Sequence, residues 1–331
     1  NAFFGGLSMI DLTHCQETIN TFGGSEKKKR ILYDHRIYMV KFPDPVRELH
    51  NSLSYMNNQF SEDIGCKIFK TLGFETQNTF LATYKMPNGE EKIVVACEDF
   101  TQDGKKLIEF HKLVLQEVES DSLRTQANVD NVMMVIEQTK QIVDKEEFKR
   151  KFWDMFIVDG YINNRDRNMD NWGGVLNAEN ELSFAPIYDC GSSLSALLPE
   201  ELMQQRLNGG QEFKREEFNV YSCYREDRKR ILFSEYLKKP HKDLQEAILR
   251  IVPEIEKQQG NISKIIEMTP VISEVYKTYL KRSLELRYQK ILLPALKRAL
   301  EKEAGKTTGV IVRKKGRVTS VKHESEKGAE R

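Results

Sequence analysis

The sequence predicts an α+β fold of two lobes, the first mainly antiparallel strands around one helix and the second mainly helical. Three observations carry this. Strand-like runs in pairs fill most of the first hundred residues. After about Asp103 the apolar positions recur at helical spacing. Between a long helical run and a strand pair lies "GYINNRDRNMDNWGGVLN", residues 160–177, where Asn163, Asn164, Asp166, Asn168, Asp170 and Asn171 fall within nine positions. The expected bounds are 1–102 for the first lobe, 103–304 for the second and 305–331 for a basic tail.

"ILYDHRIYMVKF", from Ile31 to Phe42, reads as two short strands with "YDHR" as their turn. "TFGGSEKKKR" precedes it, a glycine pair followed by a basic run. In "SEDIGCKIFKTLG", Ile64, Ile68 and Leu72 keep helical spacing, and Gly73 is a stop signal. Thr79–Tyr84 and Lys92–Cys97 read as a hairpin around "PNGE", and the lobes should join near Glu98–Asp103. In the second half Phe148, Phe152, Met155, Phe156 and Asp159 share a helix face. "WGGVL" and "LSFAPIY" then read as strand, turn and strand. Helices return over 242–302, with Leu244, Ile248, Ile251 and Ile255 on one stripe, and Pro253 and Pro294 should kink or end their segments. "VIVRKKGRVTSV" in the tail alternates as a lone hairpin would, although a hairpin alone is marginal in water. No internal repeat is present.

Bulk numbers exclude several classes. The 331 residues are 39% hydrophobic and 31% charged, with a net charge of +1, so no global field draws the chain to nucleic acid or membrane. Cys15, Cys66, Cys97, Cys190 and Cys223 are odd in number and form no C-x-x-C pair, which argues against a disulfide framework and a zinc cluster. No apolar run reaches the roughly 18 residues a membrane span needs. "NAFFGGLSMIDL" lacks a basic n-region and a long apolar stretch, so a signal peptide is not expected, and the cytoplasm is the expected place of synthesis.

The candidate chemistry centres on the amide-rich loop. Asp166 and Asn171 stand five apart, and Asp189 follows the next strand in "YDCG". A hairpin between them brings its ends together, so Asn171 and Asp189 should face one volume with Asp166 a loop away. Hard oxygen donors converging there suit Mg²⁺, which completes its shell with water and phosphate. Asp166 is then the carboxylate that orients an attacking hydroxyl. Lys41 ends an apolar strand, either as an edge lysine with its amine in water or as a phosphate contact. Glu62, near the start of the first helix, either complements the helix dipole or holds Lys41. Gly23 and Gly24 permit close backbone approach to phosphate, and "ACEDF" offers backbone groups to adenine.

These residues resemble the HipA-like serine/threonine protein kinases. That family's Asp-x-His-x-x-Asn pattern is matched by "DRNMDN", Asp166 to Asn171, and its later metal-binding Asp by Asp189. Its strand lysine is similar to Lys41, its helix glutamate to Glu62, and its hinge Glu-x-Phe to Glu98 and Phe100. Its Ser-x-x-Gly phosphate loop ending in Lys resembles "TFGGSEKK", with Thr21, Gly24 and Lys28 at the matching places. The resemblance covers about residues 21–191.

It implies a two-lobed protein-kinase-like fold and ATP- and Mg²⁺-dependent transfer of phosphate to protein Ser or Thr hydroxyls. By the match, Asp166, Lys41 and Glu62 are catalytic, and Asn171 and Asp189 hold the metal. Gly23, Gly24, Ser25, Lys28, Lys41, Glu98, Phe100 and Asn168 surround the nucleotide. Autophosphorylation at Thr21 or Ser25 is implied by analogy, as is association with a regulatory partner protein. No direct nucleic-acid binding is expected. If the likeness extends to the family's cell-translocating branch, delivery to a host cell is implied too. There is one departure: Asn168 stands where the family has His, and Asn cannot carry a proton near neutral pH. Arg165 either supplies that charge or is a solvated loop residue. Two other readings stay open, a phosphoinositide-type lipid kinase and an inactive kinase-like binding protein.

Overall fold

The computed structural model describes residues 3–4, 7–19, 28–43, 57–102, 104–117, 128–226 and 229–316. A short pair, β1 (Phe3–Phe4) and β2 (Leu7–Ser8), opens the chain. Six strands then build one sheet: β3 (Ile10–Asp11), β4 (Gln16–Thr18), β5 (Lys28–Tyr33), β6 (Arg36–Lys41), β7 (Thr79–Lys85) and β8 (Glu91–Glu98). Their order is β3-β7-β8-β6-β5-β4, with β3 parallel to β7 and the other neighbours antiparallel. The expected β5–β6 and β7–β8 hairpins are both present. Asp34 and His35 turn the first with φ of 47° and 61°, the left-handed pair that a two-residue hairpin needs.

Side-chain alternation decides which residues reach the site. Val94 and Ala96 of β8 join Leu12, Ile31, Val40, Phe42, Ala82 and Tyr84 in a small core on one face of the sheet. Val95 and Cys97 turn to the other face and join the main core with Ile64 and Ile68 of helix α1 (Asn58–Thr71). Because Val40 faces the small core, its neighbour Lys41 points the opposite way, toward α1. The helix begins one turn before the sequence signal, and Gly73 follows it in left-handed backbone (φ 89°).

The second region is mainly helical, as expected. After β9 (Lys106–Glu109) come α2 (Phe110–Glu117), α3 (Val129–Gln138) and α4 (Lys145–Ile162). Asp144 caps α4 by accepting from the Glu147 amide, and Asn163 ends it in left-handed backbone (φ 54°). Every residue from Phe152 to Ile162 is buried, so α4 is the central post of the core rather than a one-sided helix. Its aromatic rings alone withdraw several side chains from water, at roughly 1.5–3 kcal/mol each.

β10 (Gly173–Leu176) pairs with both β11 (Leu182–Phe184) and β9. Gly173 is required here, since a Cβ would lie 2.1 Å from the Ile108 carbonyl oxygen. Beyond lie α5 (Glu200–Asn208), α6 (Gln211–Phe218), the pair β12 (Tyr221–Glu226) and β13 (Lys229–Leu232), and α7 (Phe233–Tyr236). The long α8 (Lys242–Met268) and α9 (Glu274–Arg287) follow, then a π turn (Tyr288–Leu292) and α10 (Leu293–Gly316). Arg287 is buried, donating to the Tyr161 carbonyl (2.6 Å) and pairing with Glu217, so one guanidinium ties α9 to α4 and α6.

Of the kink or end expected at Pro253, the end is not found: α8 continues to Met268, because packing of Leu244, Ile248, Val252 and Ile255 outweighs one lost backbone bond. In the tail, residues 310–316 continue α10 instead of forming a hairpin arm, since helix propagation from an existing end costs less than nucleating an isolated strand pair.

Candidate active site

The sheet of the first lobe and the helical region enclose a cleft of about 1370 Å³. Lys41 enters from the end of β6 and is 5% exposed. Its Nζ donates to Glu62 Oε2 at 3.1 Å and to Asp189 Oδ1 at 2.9 Å. One ammonium thus joins the sheet, α1 and the segment after β11. Glu62 stands behind the lysine, 1% exposed, and burial pushes its carboxyl above the usual range, with Lys41 opposing. Asp189 feels burial as well, but the Lys41 charge and hydrogen bond prevail and hold it below its ordinary value. Asp189 therefore stays ionised, and Glu62 carries the cost of desolvation.

Local backbone explains why these groups meet. The Ile187 amide donates to the Glu75 carbonyl and the Gln77 amide to the Ile187 carbonyl, both at 2.8 Å. This bridge pins the approach to Asp189 against the segment between α1 and β7. Asp189 itself has φ 56°, a conformation an L residue adopts at a cost and Asp tolerates better than most. At Gly191 a Cβ would come within 3.1 Å of Glu62 Oε2, so a side chain there would press on the ion pair.

On the far wall Asp166 is exposed and lines the cleft with Asn171. Asn164 Oδ1 accepts from the Asp166 amide (3.2 Å), and Asn168 Nδ2 donates to Asp166 Oδ1 (2.9 Å). Asn171 Nδ2 donates to the Asp166 carbonyl (2.6 Å), which commits its nitrogen to the loop and leaves its oxygen as a hard donor. The loop is anchored from α2: the Phe110 and His111 amides donate to the Trp172 and Met169 carbonyls, each at 2.9 Å, and Phe110 stacks on Trp172 at 4.2 Å.

The structure thus brings Lys41, Lys28, Phe100, Asp166, Asn171 and Asp189 to the cleft wall, with Glu62 directly behind. It places two other expected residues elsewhere. Glu98 turns its carboxylate to Arg36 (3.5 Å) and Asn78 (2.8 Å), and its carbonyl accepts from Gln77 Nε2 (2.9 Å). Asn168 braces Asp166 and the Asp170 amide (2.8 Å) and is not part of the wall. Thr21, Gly23, Gly24 and Ser25 lie outside the described residues.

Sequence reasoning missed Arg167, a buried guanidinium under the loop. Its Nε meets Asp159 Oδ2 at 3.0 Å, Nη1 donates to the Asn171 carbonyl (2.7 Å) and the Tyr188 carbonyl, and Nη2 donates to Cys190 Sγ (3.4 Å). A signal existed: Asp159 interrupts an apolar helix face, and a carboxylate there demands a buried cation. Met39, Leu107 and Tyr188, which add apolar and aromatic surface to the cleft, carried no signal of their own.

As a metal site the pair Asn171–Asp189 fits a small hard cation. Among the described residues no cluster of three His, Cys, Asp or Glu side chains is placed to hold an ion by itself. Mg²⁺ needs no such cage, because it binds through one or two protein oxygens plus water and phosphate.

No family model matches the chain. It is 36% identical over 304 residues to serine/threonine-protein kinase CtkA of Helicobacter pylori (strain J99), covering 89% of this chain and 90% of that protein. The crystal structure of the Helicobacter pylori proinflammatory kinase CtkA superposes with a TM-score of 0.81 at 34% identity, over 89% of this chain and 99% of that one. A complex of HipA, HipB and operator DNA from Shewanella oneidensis MR-1 gives a TM-score of 0.45 at 14% identity, over 86% and 68% of the two chains.

Proposed function

The chain belongs to the family of the serine/threonine-protein kinase CtkA, the HipA-like kinases its motifs resemble, and is a serine/threonine protein kinase; from that premise we propose that it uses ATP and Mg²⁺ in the cleft between residues 1–102 and 103–304. One observation carries the reading: the Glu62–Lys41–Asp189 ion chain ties β6, α1 and the segment after β11 together at a cleft whose lining also includes Asp166 and Asn171.

Bound Mg·ATP supplies the transferable phosphoryl group and the cation that neutralises its charge. The protein supplies position and electrostatics. Asp189 and Asn171 would hold the metal. Lys41, braced by Glu62, presents its charge to phosphate oxygens without reorganising. The Asp166 carboxylate accepts the hydrogen bond of a protein Ser or Thr hydroxyl and orients it for in-line attack. Lys28, on the cleft wall at the start of β5, adds a second cation. Arg165, also on the wall, provides the charge that Asn168 cannot. Phe100 and Met39, on the cleft wall, would offer apolar surface to the base, and by the family match the segment of Gly23, Gly24 and Ser25 is assigned to the phosphates. Autophosphorylation at Thr21 or Ser25, and a regulatory partner protein, complete the proposal. No described helix is long and apolar enough to cross a membrane.

The test is incubation with ATP and Mg²⁺ followed by mass spectrometry of the intact chain and of an added protein substrate. A phosphate increment is expected on both. Asp166→Ala should cut turnover by roughly 10²–10⁴. Unchanged phosphate transfer by Asp166→Ala would remove Asp166 from the mechanism.

A further inference from the structure

We propose that Arg167 is a positioning residue that fixes the spacing of the two metal-holding side chains, Asn171 and Asp189, with Asp159 as its counter-ion. The inference rests on the kinase reading above and assigns the part of the site that sets its metal geometry.

Asn171 and Asp189 lie on opposite arms of the β10–β11 hairpin, beyond the end of its ladder. The Ala185 amide still donates to the Gly173 carbonyl at 3.0 Å. Past that bond no backbone hydrogen bond among the described residues joins the two arms. Arg167 takes over where the ladder stops. A single Nη1 donates to the carbonyl of Asn171 and to that of Tyr188, the residue before Asp189. Nη2 reaches the Sγ of Cys190, the residue after it. The guanidinium is planar, so its fork holds these acceptors at fixed separations.

The fork is itself held. Arg167 is 2% exposed, its Nε meets both Asp159 oxygens (3.0 and 3.3 Å), and its face lies 5.9 Å from the Phe69 ring of α1. Asp159 sits on the fully buried half of α4 and receives a further bond from Asn164 Nδ2 (3.1 Å). Asn164 in turn accepts from the Asp166 amide. Asp159 is therefore connected to the backbone of Asp166 through Asn164, and to the backbone at Asn171 and beside Asp189 through Arg167. A lysine at 167 would keep the charge against Asp159 but lose the planar fork to two carbonyls. The metal ligands would then drift apart while the protein stayed folded.

The experiment compares wild type with Arg167→Lys by calorimetric titration of a non-hydrolysable ATP analogue at graded Mg²⁺, and again in EDTA. The expected result is a half-saturating Mg²⁺ concentration raised about tenfold or more, with metal-free analogue affinity changed less than about twofold. A purely structural role lowers the melting temperature and leaves the Mg²⁺ requirement where it was. If Arg167→Lys is unfolded at the assay temperature, Asp159→Asn, which keeps size and one acceptor, takes its place with the same expected direction. An unchanged Mg²⁺ requirement in the folded variant overturns the inference and leaves the kinase reading standing. If wild type fails to bind the analogue with or without Mg²⁺, the kinase reading falls, and this inference with it.

Discussion

Replacing Lys41 by Met removes the cation between Glu62 and Asp189 while nearly keeping the volume. In the wild type the ammonium lies 3.1 Å from one carboxylate and 2.9 Å from the other, so the trio carries one net negative charge. Without Lys41 two carboxylates face each other, one of them fully buried. Breaking a buried ion pair costs about 3–5 kcal/mol. The lower end applies, because Glu62 can escape by taking up a proton, which burial already favours. The expected loss at pH 7 is about 3 kcal/mol, measured by urea denaturation, with turnover reduced roughly 10²–10³-fold. The control is Glu62→Gln, which leaves Lys41 paired with Asp189 and should cost less than about 1 kcal/mol. The sign with pH follows. Glu62 binds its proton more tightly folded than unfolded, so stability declines as pH rises from the unfolded value of about 4.3 through the raised folded one. Asp189 acts oppositely: its contribution is present above the unfolded value of about 3.9 and lost as pH falls through the lowered folded one. The Lys41→Met penalty should therefore be smaller at pH 5 than at pH 8. A loss below about 1 kcal/mol at both pH values, or an equal loss in Glu62→Gln, would refute the reasoning.

Other outcomes follow from the same geometry. Asn168→Ala removes the amide that holds Asp166 Oδ1 at 2.9 Å, and steady-state assays should show turnover down about 3–10-fold, the worth of one hydrogen bond. Restoration of activity by Asn168→Gln but not by Asn168→Leu would fit a bracing role, and equal rates in all three would contradict it. Gly173→Ala places a methyl 2.1 Å from the Ile108 carbonyl oxygen, on backbone that cannot swing aside. Thermal melting should report a loss of about 1–3 kcal/mol, together with reduced transfer because β10 positions Asn171. In a Glu62→Gln chain the decline of stability between about pH 4.3 and neutrality should flatten, as read by denaturant midpoints across that range.

Much of the fold was legible because its cues are local. The hairpins at 28–41 and 79–98 follow from alternation and turn residues, and α1 and α4 follow from apolar periodicity. The alternation in the tail misled, because it carries no information about the pre-existing helix end that overrides it, and Pro253 does not stop its helix because packing on both sides compensates the lost bond. The positions of Lys41, Asp166, Asn171 and Asp189 could be marked from residue type and spacing. Glu98 could not be placed, since nothing local says that its carboxylate turns to Arg36 and Asn78.

By itself the sequence determined the kinds of chemistry on offer: a strand lysine, a helix glutamate, and a loop dense in oxygen donors beside a hairpin. These depend on residue identity and on periods of two and 3.6, which neighbours along the chain enforce. Only the tertiary structure decided that Lys41 lies between Glu62 and Asp189, that Asn168 braces Asp166, and that Arg167 is buried under the site. The physical reason is distance along the chain. An ion pair between residues 41 and 189 has no local propensity to announce it, and it exists because the sheet, α1 and α4 bury charges that must find each other or be neutralised.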